Sequence, residues 1–128
     1  MAKVSLIEYE KALSTLNESL ELYRNSGSGS VEQRAFRDTC IQRFEFCVEL
    51  AWKVSKKVMG TGSTAPKMVI REMALNNFID NPQLWLSFVD ARNISSQTYD
   101  EDIAAEVFTV VKMFPQEGVR LLESLKAR

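Results

Sequence analysis

The chain has 128 residues, of which 45% are hydrophobic, and its formal net charge is −1 at pH 7. This length suits one domain over residues 1–128 with a substantial core. The balance of 16 basic against 17 acidic side chains excludes a uniformly basic surface, so any contact with RNA must come from a local patch. The scarcity of glycine and proline, 5 and 3 residues, favours regular helices.

The first half of the sequence predicts two helices. Ser5 and Glu8 resemble a capping box before the first helix. That helix has one apolar stripe at helical spacing, formed by Leu6, Tyr9, Leu13, Leu16, Leu20 and Tyr23. A longer helix is predicted from about Val31 to Met59, and residues 44–54 are apolar on nearly every side of it, which is typical of a central bundle helix or a subunit interface. Its one polar line consists of Glu45, Glu49 and Lys53.

The second half predicts shorter helices separated by glycine and proline. Pro66 suits the first turn of a third helix at about 65–76, and Asn81 begins a fourth that should end between 92 and 96. Thr98 and Glu101 resemble a second capping box, at the start of a fifth helix. Pro115 interrupts that helix, and residues 116–126 are again helical. The expected fold is all-α, an up-and-down bundle of four to five helices.

The cysteine and histidine content limits which disulfides and metal sites the chain can form. Along one helix, Cys40 and Cys47 would be about 10 Å apart, which is too far for a disulfide. We therefore expect reduced core thiols in a cytoplasmic protein. The chain has no histidine and no close cysteine pair, so we expect no metal site and no cofactor. No long apolar run indicates a signal peptide or a membrane span.

Three segments resemble a known family. Residues 92–100 read Arg-Asn-Ile-Ser-Ser-Gln-Thr-Tyr-Asp, and they place Arg92, Gln97 and Tyr99 at the spacing Arg-x4-polar-x-Tyr. This pattern resembles the Arg-x4-His-x-Tyr signature of the HEPN superfamily, with glutamine in the place of histidine. Residues 43–53 and 66–72 are similar to the preceding helices of one HEPN branch, the nucleotidyltransferase substrate-binding proteins, which include the HepT-type toxins.

The resemblance implies a small helical bundle, similar to the helical domain of kanamycin nucleotidyltransferase, that forms a homodimer or a tetramer. It also implies a separately encoded minimal nucleotidyltransferase as partner. In the toxin members, Arg and His from two protomers cut RNA without a metal, and the partner silences the toxin by attaching AMP to the motif tyrosine. The corresponding positions here are Arg92, Gln97 and Tyr99.

Gln97 removes the acid–base group from this motif. Histidine takes and returns a proton near neutral pH, whereas an amide only donates and accepts hydrogen bonds. Losing such assistance costs about 10²–10⁴ in rate. The sequence therefore favours a non-catalytic partner of a minimal nucleotidyltransferase that binds a nucleotide or an RNA phosphate. One alternative is a HepT-like ribonuclease of a toxin–antitoxin pair, active despite Gln97; another is a scaffold that has lost its ligand.

The motif residues have structural alternatives. Arg92, with Asn93 beside it, either binds a phosphate or pairs with Asp90, Asp100 or Glu49 and ties helices together. Asp100 suits a helix cap better than catalysis, and turn chemistry accounts for the neighbouring hydroxyl residues. Tyr99 is either a nucleotidyl acceptor or, slightly favoured, a packed aromatic residue.

The remaining candidates are also ambiguous. The polar line Glu45, Glu49 and Lys53 is either the floor of a nucleotide cleft or, as we favour, a salt-bridge network with Arg71 or Arg92. A basic rim or a solvated helix end is formed by Lys53, Lys56, Lys57, Lys67 and Arg71. Both tryptophans, Trp52 and Trp85, are expected to anchor a core or an interface, with base stacking as the alternative.

Overall fold

The computed structural model describes residues 4–128, and in this range the chain forms six α-helices and a 3₁₀ turn, with no β-strand. The helices are α1 (Ile7–Asn25), α2 (Val31–Met59), α3 (Pro66–Leu75), α4 (Pro82–Ile94), α5 (Glu101–Val111) and α6 (Phe114–Lys126), and the 3₁₀ turn is Ser95–Gln97. The predicted all-α class is confirmed. The described range contains six helices instead of the expected four to five. Pro115 lies in the first turn of the last of them, which is a helix separate from α5.

α2 is the central helix, and each of the other helices packs against it. It begins after Ser30, whose hydroxyl oxygen accepts a hydrogen bond from the N–H of Gln33 at 3.0 Å. It ends at Gly60, whose φ of 72° lies in the left-handed region that glycine adopts without strain. Its middle is buried between α1 and the other helices, which confirms the predicted central position, although Phe46 remains 49% exposed.

Four aromatic rings form the centre of the core: Phe44, Trp85, Phe88 and Phe114. Neighbouring rings meet edge to face, with centroids between 5.0 and 6.3 Å apart. Because the rings come from α2, α4 and α6, this cluster joins three helices. Trp85, only 1% exposed, is therefore the core anchor that was predicted.

Both cysteines are free and buried in the core. Burial raises the pKa of Cys40 to about 11 and the pKa of Cys47 to about 12, so both thiols are protonated near neutral pH. The prediction of reduced core thiols is confirmed. Separately, no helix within residues 4–128 is long and apolar enough to cross a membrane.

Both predicted capping boxes are wrong. α1 begins after Leu6 with no side-chain cap, and the Ser5 hydroxyl only accepts the N–H of Ile7 at 3.4 Å. Thr98 keeps helical backbone angles after the 3₁₀ turn, so it cannot be the N-cap of α5. Asp100 takes that position instead, and its carboxylate accepts hydrogen bonds from the N–H groups of Asp102 and Ile103 at 2.9 and 3.2 Å.

Gly118 allows α6 to lie close to α1. The Tyr9 hydroxyl donates a hydrogen bond to the Gly118 carbonyl oxygen at 2.8 Å. A Cβ at Gly118 would lie 2.7 Å from Cε2 of Phe114 and 2.8 Å from Cδ2 of Leu13. The close contact of these two helices therefore depends on the absence of a side chain at this position.

Gly118→Ala is expected to lower the free energy of unfolding, because the added methyl must displace Phe114 and Leu13. Overpacking of this kind costs about 1–3 kcal/mol, which exceeds the gain of up to about 1 kcal/mol from the higher helix propensity of alanine. Urea unfolding measures the change. The control is Gly62→Ala, whose Cβ would meet no atom within 4 Å and should leave the midpoint almost unchanged. Equal midpoints for both variants would contradict the close packing.

Candidate functional site

The motif residues lie where α4 passes into α5. Arg92 is in the last turn of α4, Gln97 ends the 3₁₀ turn, and Tyr99 lies just before α5. The Ser95 hydroxyl donates to the Arg92 carbonyl oxygen at 2.7 Å, and the N–H of Asp100 donates to the Gln97 carbonyl oxygen at 3.1 Å. These local bonds hold the turn together, so turn chemistry accounts for Ser95.

Arg92 extends from α4 to α2, where it meets Glu49. Its Nε lies 2.9 Å from Oε1 of Glu49, while Oε2 of the same carboxylate lies 3.3 Å from Nζ of Lys53. The Nε–H is not directed at the carboxylate, so the contact is an ion pair without a hydrogen bond. Glu49 is thus one anion shared by two cations.

The three partners considered for Arg92 have separate roles. Glu49 forms the ion pair with Arg92, whereas Asp90 lies 2.6 Å from Nζ of Lys67 and Asp100 caps α5. The salt-bridge network predicted on α2 therefore exists, and Arg71 is not part of it.

The outer end of Arg92 is open to solvent. The side chain is 37% exposed, and its two terminal nitrogens make no hydrogen bond with any of residues 4–128. A guanidinium offers parallel N–H donors that match two oxygens of a phosphate. With Lys53 beside it and one carboxylate between them, the cluster keeps an excess of positive charge.

Glu45 stands apart from this cluster, unlike its predicted companions Glu49 and Lys53. It lines a cavity of about 350 Å³ between α2 and the 3₁₀ turn, with hydroxyl groups of Ser96 and Thr98 on the other wall. The predicted polar line is therefore divided: its C-terminal part faces Arg92, and Glu45 faces the turn. Asn93 is exposed beside Arg92.

Tyr99 and Gln97 both project into solvent. Tyr99 is 86% exposed, so the expectation that its ring packs is wrong for the chain as described. The ring precedes α5 on an outer turn, where no helix of residues 4–128 covers it. Gln97 is exposed as well, which leaves both side chains accessible to a ligand or a partner.

Arg37 was not predicted, and it fixes the start of α5. Its Nη1 and Nη2 lie 2.9 and 3.2 Å from the two carboxylate oxygens of Glu101, and its side chain is only 12% exposed. This hydrogen-bonded pair lowers the pKa of Glu101 and raises the pKa of Arg37. The two residues are 64 positions apart, so no local pattern indicates their contact.

A helical bundle with Arg92, Gln97 and Tyr99 at one helix junction has the arrangement of a HEPN-like protein. The family model described as nucleotidyltransferase substrate binding protein like matches residues 4–127. The chain belongs to this family, as its sequence motifs predicted.

Known proteins with similar sequences and folds agree. The chain is 32% identical over 107 residues to the probable ribonuclease HepT of Haemophilus influenzae, and the matched region covers 77% of this chain and 73% of that protein. A Haemophilus influenzae structure, described as the fold of a substrate binding domain of a nucleotidyltransferase, has a TM-score of 0.82 at 27% identity and covers 95% of this chain and 99% of that one. A crystal structure of a Thermus thermophilus protein has a TM-score of 0.76 at 31% identity, covering 91% and 98%.

Proposed function

We propose that this protein is a non-catalytic partner of a minimal nucleotidyltransferase and that it binds a nucleotide or an RNA phosphate around Arg92. The observation that carries the proposal is the open end of Arg92, with Lys53 beside it, in a motif that has no acid–base residue. Membership of the nucleotidyltransferase substrate-binding family supports the choice of partner.

The chemistry of position 97 favours binding over cleavage. RNA cleavage without a metal needs a group that takes a proton from the ribose 2′-hydroxyl and one that protonates the leaving oxygen. Glutamine can do neither, and the whole chain contains no histidine. A second copy of the chain in a homodimer therefore could not supply the missing imidazole either.

The proposed ligand contacts follow from the geometry. The phosphate would accept hydrogen bonds from the terminal nitrogens of Arg92 and from Nζ of Lys53, with the exposed Asn93 amide close by. Glu49 lies between the two cations and neutralises part of their charge. Glu45, in the neighbouring cavity, offers a carboxylate to sugar hydroxyl groups.

Tyr99 has the exposure that a nucleotidyl acceptor requires. Its hydroxyl oxygen would bond to the α-phosphorus of a nucleoside triphosphate, with loss of the hydroxyl proton and release of pyrophosphate. We propose that the partner nucleotidyltransferase catalyses this transfer, because an 86% exposed ring can enter another protein's active site without unfolding of this chain.

The proposal includes a homodimer or tetramer in the cytoplasm. Four exposed apolar side chains on α2 and α3 support self-association: Val31 at 69%, Phe46 at 49%, Met68 at 50% and Leu75 at 81% exposure. The reduced thiols suit a reducing compartment. Light scattering of the purified protein, alone and mixed with any minimal nucleotidyltransferase encoded beside its gene, tests self-association and partner binding. A monomer that does not bind that enzyme would refute them.

Substitutions at the Arg92 cluster should change nucleotide affinity in opposite directions. Arg92→Ala is expected to weaken AMP binding about 10- to 100-fold, which is the usual loss of affinity when one charged hydrogen-bonding group is removed. Arg92→Lys should recover only part of the loss, because an ammonium does not form the paired bonds. Glu49→Gln should tighten binding, because it removes the anion beside the phosphate. Calorimetric titration measures all three, and an Arg92→Ala affinity equal to that of the wild type would exclude this site.

A further inference from the structure

A group of cations overlaps the proposed phosphate site at Lys53 and extends beyond it. Residues 50–71 contain five basic side chains and no aspartate or glutamate, in a protein whose net charge is −1. We name this group the basic α2–α3 surface, and it consists of Lys53, Lys56, Lys57, Lys67 and Arg71. Positive charge is therefore concentrated in one short part of an acidic chain.

The five residues lie on two helices that pack against each other. Lys53 and Lys57 are four residues apart on α2, and Lys67 and Arg71 are four residues apart on α3, so each pair shares a helix face. The two helices pack against each other and are joined by the short loop 60–65. Lys56 is half-buried, and the other four are exposed.

Ion pairs leave much of this charge uncompensated. Lys53 shares Glu49 with Arg92, and Lys67 pairs with Asp90. Lys56, Lys57 and Arg71 have no ion-pair partner within residues 4–128. Lys56 and Lys57 are favoured by the dipole at the C-terminus of α2, but Arg71 is in the middle of α3, where this effect does not act.

The basic α2–α3 surface is continuous with the Arg92 cluster on two sides. On α2, Glu49 contacts both Lys53 and Arg92. On α3, Lys67 contacts Asp90, which lies two residues before Arg92 on α4. A ligand anchored at Arg92 can therefore extend towards Lys53 or Lys67, each of which shares or neutralises one carboxylate next to Arg92.

We infer that the basic α2–α3 surface binds a strand of RNA several nucleotides long, one phosphate of which is held at Arg92. This inference rests on the proposed phosphate site. Spaced cations along two helix faces match the repeating phosphates of a polynucleotide, whereas a single nucleotide can contact only the Arg92 cluster. Hydroxyl groups of Thr61, Ser63 and Thr64 in the loop add hydrogen-bond donors for the backbone.

Fluorescence anisotropy with a labelled single-stranded RNA of about 12 nucleotides, compared with AMP binding, tests this inference. The variant carries Lys56→Gln, Lys57→Gln and Arg71→Gln together. It should bind the RNA about tenfold more weakly, and the slope of log K against log salt should fall by about 2, since each single-strand phosphate contact contributes about 0.7. Its affinity for AMP should stay at the wild-type value.

The matched control carries Lys11→Gln, Arg34→Gln and Lys112→Gln, three exposed cations outside the surface that have no ion pair in the described chain. It has the same net charge as the first variant and should bind RNA like the wild type. Equal RNA affinities of the two triple variants would overturn the inference. It would also be overturned if the first variant lost nucleotidyltransferase binding but kept RNA binding, because that result would indicate that the surface binds an acidic protein partner. Arg92→Ala is measured separately: unchanged AMP binding there counts against the proposed function and not against the basic surface.

Discussion

Gln97→His is expected to give the protein metal-independent ribonuclease activity, at a rate about 10²–10⁴ above that of the wild type. Position 97 is exposed at the end of the 3₁₀ turn that follows α4, and the terminal nitrogens of Arg92 in the last turn of α4 are free to hold a phosphate. An imidazole there supplies the proton transfer that an amide cannot. Cleavage of a labelled RNA in the presence of a metal chelator, followed by gel electrophoresis, measures the gain.

Two controls separate a restored site from a histidine placed anywhere on the turn. Ser96→His puts an imidazole one residue away, at another exposed position of the same 3₁₀ turn, and should stay inactive. Gln97→His combined with Arg92→Ala should also be inactive, because the phosphate would no longer be held. If Gln97→His folds and self-associates like the wild type but cleaves no RNA, the site has lost more than its proton-transfer group.

Phe114→Ala is expected to lower the free energy of unfolding by about 3–5 kcal/mol, the usual cost of removing a buried aromatic ring. The Phe114 ring is fully buried and touches three other rings, with centroids 5.0 to 5.6 Å away. Its loss leaves a cavity where α2, α4 and α6 meet. Urea unfolding followed by circular dichroism measures the change.

Phe46→Ala is the control for this core substitution. Phe46 is 49% exposed on the outer face of α2, so its removal should cost less than about 1 kcal/mol in the monomer. A similar loss of stability for both variants would mean that the four-ring cluster is not the centre of the core. A large effect of Phe46→Ala on the oligomeric state alone would place this side chain in a subunit interface.

The helices were predictable because their signals are local. The apolar periodicity of α1 and the long apolar middle of α2 are each read within one segment, and glycine and proline mark the breaks between segments. The predicted bounds of α2 agree with the structure at both ends. The caps were not predictable in the same way, because the 3₁₀ turn at 95–97 moves the start of α5 from Thr98 to Asp100.

The site was only partly predictable. The motif identified Arg92 and Gln97, but the sequence left three possible partners for Arg92, and the choice of Glu49 depends on how α4 is rotated against α2. The salt bridge between Arg37 and Glu101 joins residues that are distant in sequence, so no local sequence pattern predicts it. The exposure of Tyr99 depends on which helices lie nearby, and a short motif does not contain that information.

Binding and cleavage measured on the same RNA sample would test the central claim most directly. The wild-type protein and Arg92→Ala are titrated into labelled RNA with metal chelated, and anisotropy and chain length are recorded together. The proposed function predicts Arg92-dependent binding of RNA that stays intact. RNA that is cut by the wild type and left whole by Arg92→Ala would contradict it, and would make the chain a ribonuclease that works without histidine.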